Sequence, residues 1–259
     1  RDLVRSHGAA RMWQLGIRKG LDTPEEYTGT PAMAWNTEIQ RHAFMDYDCE
    51  LPDVMVFKGD NSHVADLLPA WYIMPLKNGF TFDAFVYKDS STGNEGGTIV
   101  GSWAACAERW KWFWREDGRL AFTWSERTTQ NNTIFNTCRM LLPFPTDAWV
   151  HIAVRYTGGD NPAIQFIMNG VVQENDPDMY DVCGKINIIQ ANSTVSMTAG
   201  HTTTNGTSNE NFIGKLAKLT LYHRAVLDTH LLQHYERGLV VKKGPCNGHG
   251  TCDPQTYTC

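Results

Sequence analysis

Three kinds of residue in this chain could do chemistry by type and spacing. His230 and His234 sit four apart in LDTHLLQHYERG, the spacing that puts two imidazoles on one helical face as a candidate metal pair. No third ligand is close in sequence, so an exposed helical face is the better reading. Acidic residues crowd into Glu174-Asn175-Asp176-Pro177-Asp178. Glycoside hydrolysis needs two carboxylates facing one cleft, about 5 Å apart for retention. Pro177 breaks the strand alternation that would aim these acids together. The chain also carries no Gly-x-Ser-x-Gly elbow and no phosphate loop, and the residues point away from an enzyme. The third candidate is RWKWFWREDGRLAFTW (109–124), where Trp110, Trp112 and Trp114 alternate. A row of exposed indoles stacks on sugar rings or anchors a protein partner.

Which way those indoles face depends on the turn. A two-residue turn at Asp117-Gly118 places Trp110, Trp112 and Trp114 on the face away from Phe113, Leu120, Phe122 and Trp124, and sends Lys111 and Arg115 towards the core. A register one residue out buries the indoles with Leu120, Phe122 and Trp124 and leaves Lys111 and Arg115 outside. Binary pattern favours the second, because burying two cations is costly.

The elements that must position these residues read as strands. From about residue 53, short alternating runs are separated by Gly, Asn and Asp. Expected strands are 54–57, 80–87, 98–103, 110–114, 120–124, 149–156, 164–168, 186–189, 195–199 and 216–222. In 149–156, Val150, Ile152, Val154 and Tyr156 share a face, as do Ile164, Phe166 and Met168 in the next run. Many strands with few helices between them predict an antiparallel sandwich or barrel. One helix is expected from Asp228, with Leu231, Leu232 and Tyr235 on one face and Gly238 at its end. Residues 1–52 form a linker or packing segment, in which Thr23-Pro24-Glu25-Glu26 reads as a helix start.

The chain has 259 residues, 42% hydrophobic and 20% charged, with net charge -5. That suits one large all-β domain with small attachments. Without a Lys/Arg-rich run, nucleic acid and anionic membrane are poor partners; no apolar run is long enough to span a bilayer, so direct membrane insertion of this segment is not expected. Three Asn-x-Ser/Thr sequons, at Asn131, Asn192 and Asn205, and clustered cysteines predict an oxidising, extracellular or cell-surface setting. Of the seven cysteines, Cys106 and Cys138 flank the 109–124 hairpin and are expected to pair, which leaves Cys49 with Cys183. The chain begins without a signal peptide and reads as a segment of a longer protein with neighbouring domains.

Five segments in order resemble the laminin G-like branch of the concanavalin A-like jelly rolls: FKGDNSHV (57–64), NGFTFDAFVY (78–87), DGRLAFTW (117–124), DAWVHIAVRYTGGDNPAIQFIMNGVVQEN (147–175) and ENFIGKLAKLTLYHRAVL (210–227). CNGHGTCDPQTYTC (246–259) resembles the middle of an EGF-like module. The resemblance implies an all-β antiparallel jelly-roll sandwich at 53–241 with one short C-terminal helix, followed by a linker and partial EGF-like module at 242–259. It implies a Cys246–Cys259 bridge, although a four-cysteine variant pairs differently. It also implies a non-catalytic recognition or adhesion module for an extracellular protein or glycan, with a structural building block as the alternative and a glycoside hydrolase as a third. Related domains bind Ca2+ through loop oxygens, which here are offered by Asp60-Asn61, by Asp160 and Asn161, and by Asp176, Asp178 and Asp181. The last group ranks first, because three crowded carboxylates repel one another without a cation. The competing reading makes all of them ordinary turn residues. The acidic pair common in the family's last strand is replaced by Ala217 and Lys218.

Overall fold

The computed structural model describes residues 11–13, 22–24, 31–35, 38–40, 54–59, 64–68, 79–90, 96–102, 110–127, 133–179, 183, 197–200 and 211–242. Its strands are β1 (Arg11–Trp13), β2 (Asp22–Pro24), β3 (Pro31–Trp35), β4 (Glu38–Gln40), β5 (Val54–Lys58), β6 (Val64–Leu68), β7 (Phe80–Tyr87), β8 (Gly97–Ser102), β9 (Trp110–Trp114), β10 (Leu120–Arg127), β11 (Thr133–Arg139), β12 (Trp149–Tyr156), β13 (Ile164–Met168), β14 (Val171–Val172), β15 (Met197–Ala199) and β16 (Ile213–Tyr222). The helix α1 runs over Asp228–Lys242.

The strands form two antiparallel sheets. One runs β14-β13-β12-β7-β16-β5-β4 with β1 also paired to β16; the other runs β11-β10-β9-β8-β15-β6-β3-β2. Two sheets burying one face each against the other is the stable arrangement for such strands. The expected jelly-roll class is the observed one. Strands also arise within 1–52: β1 lies on β16 and β3 on β6, so this segment adds strands to both sheets. The helix start expected at Thr23 is instead the short strand β2, paired with β3. The strand expected at 186–189 lies outside the described residues.

The core fills the space between the sheets. From the first sheet come Phe80, Phe82, Val86, Val150, Ile152, Val154, Ile164 and Phe166, and from the second Trp110, Trp112, Trp114, Leu120, Phe122 and Trp124. Rings meet across the gap: Phe82 and Trp110 centroids are 5.1 Å apart, and Phe80 and Phe122 5.6 Å. The alternating faces of β12 and β13 are those read from the sequence.

The β9–β10 hairpin settles its parity through its loop. The Arg115 N–H donates to the Arg119 carbonyl and the Gly118 N–H to the Arg115 carbonyl, each at 3.0 Å. Glu116, Asp117 and Gly118 therefore form a three-residue loop, with Gly118 at φ +76°, the left-handed position that glycine takes without strain. One residue more than a two-residue turn pairs Trp112 with Phe122 and Trp114 with Leu120. All three indoles then enter the core, at 3%, 0% and 1% exposure in chain order.

β16 changes parity midway. Its register on β7 breaks between Ala217 and Thr220, and Lys218 there has φ +53°. A bulge of this kind puts one extra residue on the strand. It lets Leu216 point inward before the break, and Leu219 and Leu221 after it. Helix α1 packs on the outer face of the first sheet. It continues past Gly238, and its inward residues are Leu231 and His234, whereas Leu232 is 38% exposed.

Candidate functional site

The outer face of the first sheet carries four rows of side chains across β12, β7 and β16. The register sets Arg155, Thr81 and Tyr222 in one row, then Ala153, Asp83 and Thr220, then His151, Phe85 and Ala217, and finally Trp149, Tyr87 and Lys215. Helix α1 supplies His234 and Tyr235 above the rows of Asp83 and His151. In the last row the side chains are half-buried.

Beneath the helix lies a buried cluster. Asp83 Oδ2 is 2.8 Å from His234 Nδ1 and 3.4 Å from His151 Nε2, and the three ligand atoms lie within 4.8 Å of one another. Burial by itself would raise the Asp83 carboxyl. The hydrogen bonds from His151 and His234, with the charges of these rings, outweigh burial and hold it well below the ordinary carboxylate value. The His151 ring is fixed by Phe85 and Tyr235, with centroids at 5.0 and 6.5 Å. Tyr222 stacks on His234 at 5.9 Å. Arg155, one row beyond Asp83, is engaged elsewhere: it donates to Gln165 at 2.9 Å and to the Val226 carbonyl at 2.5 Å, and pairs with Asp228 at 2.6 Å. His234 is thus not on an exposed helical face. It turns inward because residues 231, 234 and 235 share the docked side of α1.

Sequence reasoning paired His234 with His230 and missed Asp83 and His151. The available signal was a polar residue on the outward parity of an otherwise apolar strand, in FTFDAFVY and again in WVHIAVRY.

The half-buried row is different in character. Trp149 and Tyr87 rings lie 5.7 Å apart at 55°, and Lys215 Nζ sits 4.9 Å over the Tyr87 ring. Exposed Asp147 accepts the Ser90 N–H at 2.9 Å. Burial, then the nearby Asp147 and Asp89 carboxylates, push the Tyr87 phenol up.

The other candidates are redistributed. Trp110, Trp112 and Trp114 cannot stack on a ligand, because they are core residues; Lys111 lies on the opposite face of β9, its Nζ 4.5 Å over the Phe113 ring. Asp176 is a hub of ion pairs: its Oδ2 is 2.7 Å from both Arg119 and Arg139, and its Oδ1 accepts the Asp178 N–H at 3.0 Å. The cations beside Asp176 are arginines, so crowded carboxylates supply no reason to rank it first as a calcium ligand. Asp178, Asp160 and Asn161 are exposed, and Asp181 lies outside the described residues, as do Asp60 and Asn61. So do the sequons Asn131, Asn192 and Asn205, and the EGF-like stretch with Cys246 and Cys259. Cys138 is bonded to Cys183, which overturns both Cys106–Cys138 and Cys49–Cys183. Cys138 ends inside the sandwich because its β11 position pairs with core residue Phe122.

A protein-family model described as the concanavalin A-like lectin/glucanases superfamily matches residues 59–231. The chain belongs to this family. No curated protein sequence matches it. Among solved structures, it is similar to a Trypanosoma rangeli sialidase in complex with sialic acid, with TM-score 0.61, 10% identity, and 90% of this chain and 33% of that chain covered. It is also similar to the botulinum neurotoxin type G receptor binding domain, with TM-score 0.55, 11% identity and coverage of 89% and 51%. The serotype D binding domain gives TM-score 0.55, 10% identity and coverage of 92% and 53%. The chain spans about a third of the sialidase chain and about half of the toxin-domain chains. At these identities the likeness is one of fold. Among the described residues no helix is long and apolar enough to cross a membrane.

Proposed function

We propose that this chain is a non-catalytic, extracellular recognition and adhesion module that binds a glycan or a glycan-bearing protein. The observation that carries this reading is membership of the lectin/glucanase superfamily over residues 59–231. The half-buried Trp149–Tyr87 row gives the reading a surface. Aromatic faces stack on the apolar side of a pyranose, while Lys215 and Asp147 beside them offer a donor and an acceptor for hydroxyls. Non-catalytic work is supported by where the acids go. Asp83 is engaged by histidines, and Asp117, Asp176 and Asp228 by arginines, an arrangement unlike two carboxylates facing across a cleft. An extracellular setting is supported by the Cys138–Cys183 bond.

The test is a glycan array probed with the whole chain, with and without calcium, since Asp160 and Asn161 remain open to solvent. Binding that is lost in Trp149→Ala supports the reading. A blank array under both conditions refutes the lectin version.

A second reading, a building block of an extracellular assembly, is favoured by the sheet edges. Val171 on edge strand β14 is 60% exposed and Ile134 on edge strand β11 48%, and apolar edges invite pairing. Light scattering over a concentration series tests it; a strictly monomeric chain refutes it.

A further inference from the structure

We propose that Asp83, His151 and His234 form a binding site for a borderline-soft divalent cation of the zinc class, which fastens helix α1 to the first sheet. The donor set selects the metal. Two imidazole nitrogens and one carboxylate oxygen suit Zn2+, whereas Ca2+ takes oxygens alone. The spacing suits it too. Zinc bonds of about 2.0–2.1 Å in tetrahedral geometry set neighbouring ligand atoms about 3.3 Å apart. Asp83 Oδ2 and His151 Nε2 are already 3.4 Å apart. The Asp83–His234 pair, at 2.8 Å, has to open by about 0.5 Å, and the two imidazole nitrogens, which lie within 4.8 Å of each other, have to close towards that spacing. His234 rides on a helix packed against the sheet, so a small shift of α1 with rotation of the two rings supplies both changes.

Burial gives the second reason. The Asp83 carboxyl is buried, and a buried carboxylate needs a positive charge or hydrogen-bond donors beside it. The basic groups facing it or flanking it are few. Arg155 on β12 is committed to Gln165, Val226 and Asp228. Lys218 on β16 extends its Nζ over the Phe85 ring at 6.0 Å. On β12, His151 uses Nε2 towards Asp83, and its Nδ1 is buried with no hydrogen-bond partner among the described residues. Ligation through Nε2 places the ring's one proton on Nδ1, so the metal bond has to offset that buried, unpaired N–H. Tyr222, Tyr235 and Thr220 complete the surroundings without a cation. A divalent ion at the shared centre would balance the Asp83 carboxylate and take one nitrogen from each imidazole. Three protein donors leave a fourth position for water.

The experiment uses the whole oxidised chain, stripped with EDTA and returned to Zn2+, Co2+ or Ca2+ at neutral pH. One equivalent of Co2+ is expected to produce visible d–d absorption without a thiolate charge-transfer band. At about 100-fold excess over Kd, Zn2+ is expected to raise Tm by about 5–10 °C, and Ca2+ to leave it unchanged. His234→Gln keeps a polar side chain on the docked face and is expected to weaken Zn2+ binding at least about 100-fold. His230→Ala, on the same helix, is expected to bind as the wild type does. Circular dichroism confirms that each variant is folded. The proposal is overturned by a wild-type chain that neither shifts with Zn2+ nor colours with Co2+, by undiminished binding in His234→Gln, or by a thiolate band that assigns the metal to cysteine. If His234→Gln does not fold, the wild-type titrations decide alone.

Discussion

Replacing Trp112 tests the hairpin parity most directly. An indole buries about 150–250 Å2, and at about 25 cal/mol per Å2 its burial stabilises by about 4–6 kcal/mol. Trp112 is fully buried in the core and pairs with Phe122 on the neighbouring strand. Trp112→Ala removes that burial and leaves a cavity that neighbours fill only in part, so a loss of about 3–5 kcal/mol is expected. Trp112→Phe keeps a ring in the same layer and loses less. The assay is equilibrium unfolding in guanidinium chloride followed by far-ultraviolet circular dichroism, with the slope checked for constancy. Phe113→Ala, on the outward, half-buried parity of the same strand, serves as the internal comparison and loses less than Trp112→Ala. A loss below about 0.5 kcal/mol for Trp112→Ala, the level of a surface change, refutes the three-residue loop and its register. Unchanged stability joined to lost glycan binding would return the indoles to the surface.

Three further outcomes are expected. Replacing Cys138 and Cys183 together by Ala opens a link across a sequence separation of 45 residues and costs about 4 kcal/mol on the chain-entropy account, read as a lower guanidinium midpoint in the same unfolding assay. Gly97→Ala places a methyl 2.6 Å from Phe212 Cα and 2.7 Å from the Asn211 carbonyl oxygen. These are backbone atoms that cannot swing aside, so a loss of about 1–3 kcal/mol is expected in the same assay. Asp176 is held below its ordinary value by the Asp178 N–H first, against a smaller burial effect, and then by Arg139 and Arg119. A depressed carboxyl stabilises above the unfolded value of about 3.9, and that contribution is lost as pH falls further. Stability measured from pH 5 down to pH 2 therefore declines more shallowly in Asp176→Asn than in the wild type.

The residues of β7, β9, β12 and β13 were legible as strands because period-two alternation is a local property. FTFDAFVY, WKWFW, WVHIAVRY and IQFIM begin and end where the sequence places them. β11 was not legible, since TIFNTCR mixes polar and apolar residues on an edge strand whose Ile134 and Phe135 are exposed. Family membership was legible through five short segments in order. The candidate site was legible only as isolated residues: His234 stood out by its spacing from His230, yet its partners are Asp83, 151 residues away, and His151, which shares that carboxylate from 68 residues away.

What this chain determines by sequence alone is therefore its alternation, its turn residues and the class of sandwich they build, because each rests on neighbours within a few positions. Tertiary structure decided what depends on counting across a gap or meeting across the fold. One added residue in the Glu116-Asp117-Gly118 loop sent three tryptophans inward, since a shift of one position exchanges the faces of a strand. The bulge at Lys218 let β16 keep Leu216, Leu219 and Leu221 in one core. Cys138 met Cys183, and Asp176 met two arginines, because pleat and strand order brought them to the same places. Asp83, His151 and His234 met for the same reason: β7 and β12 are adjacent in the sheet, and α1 lies across them.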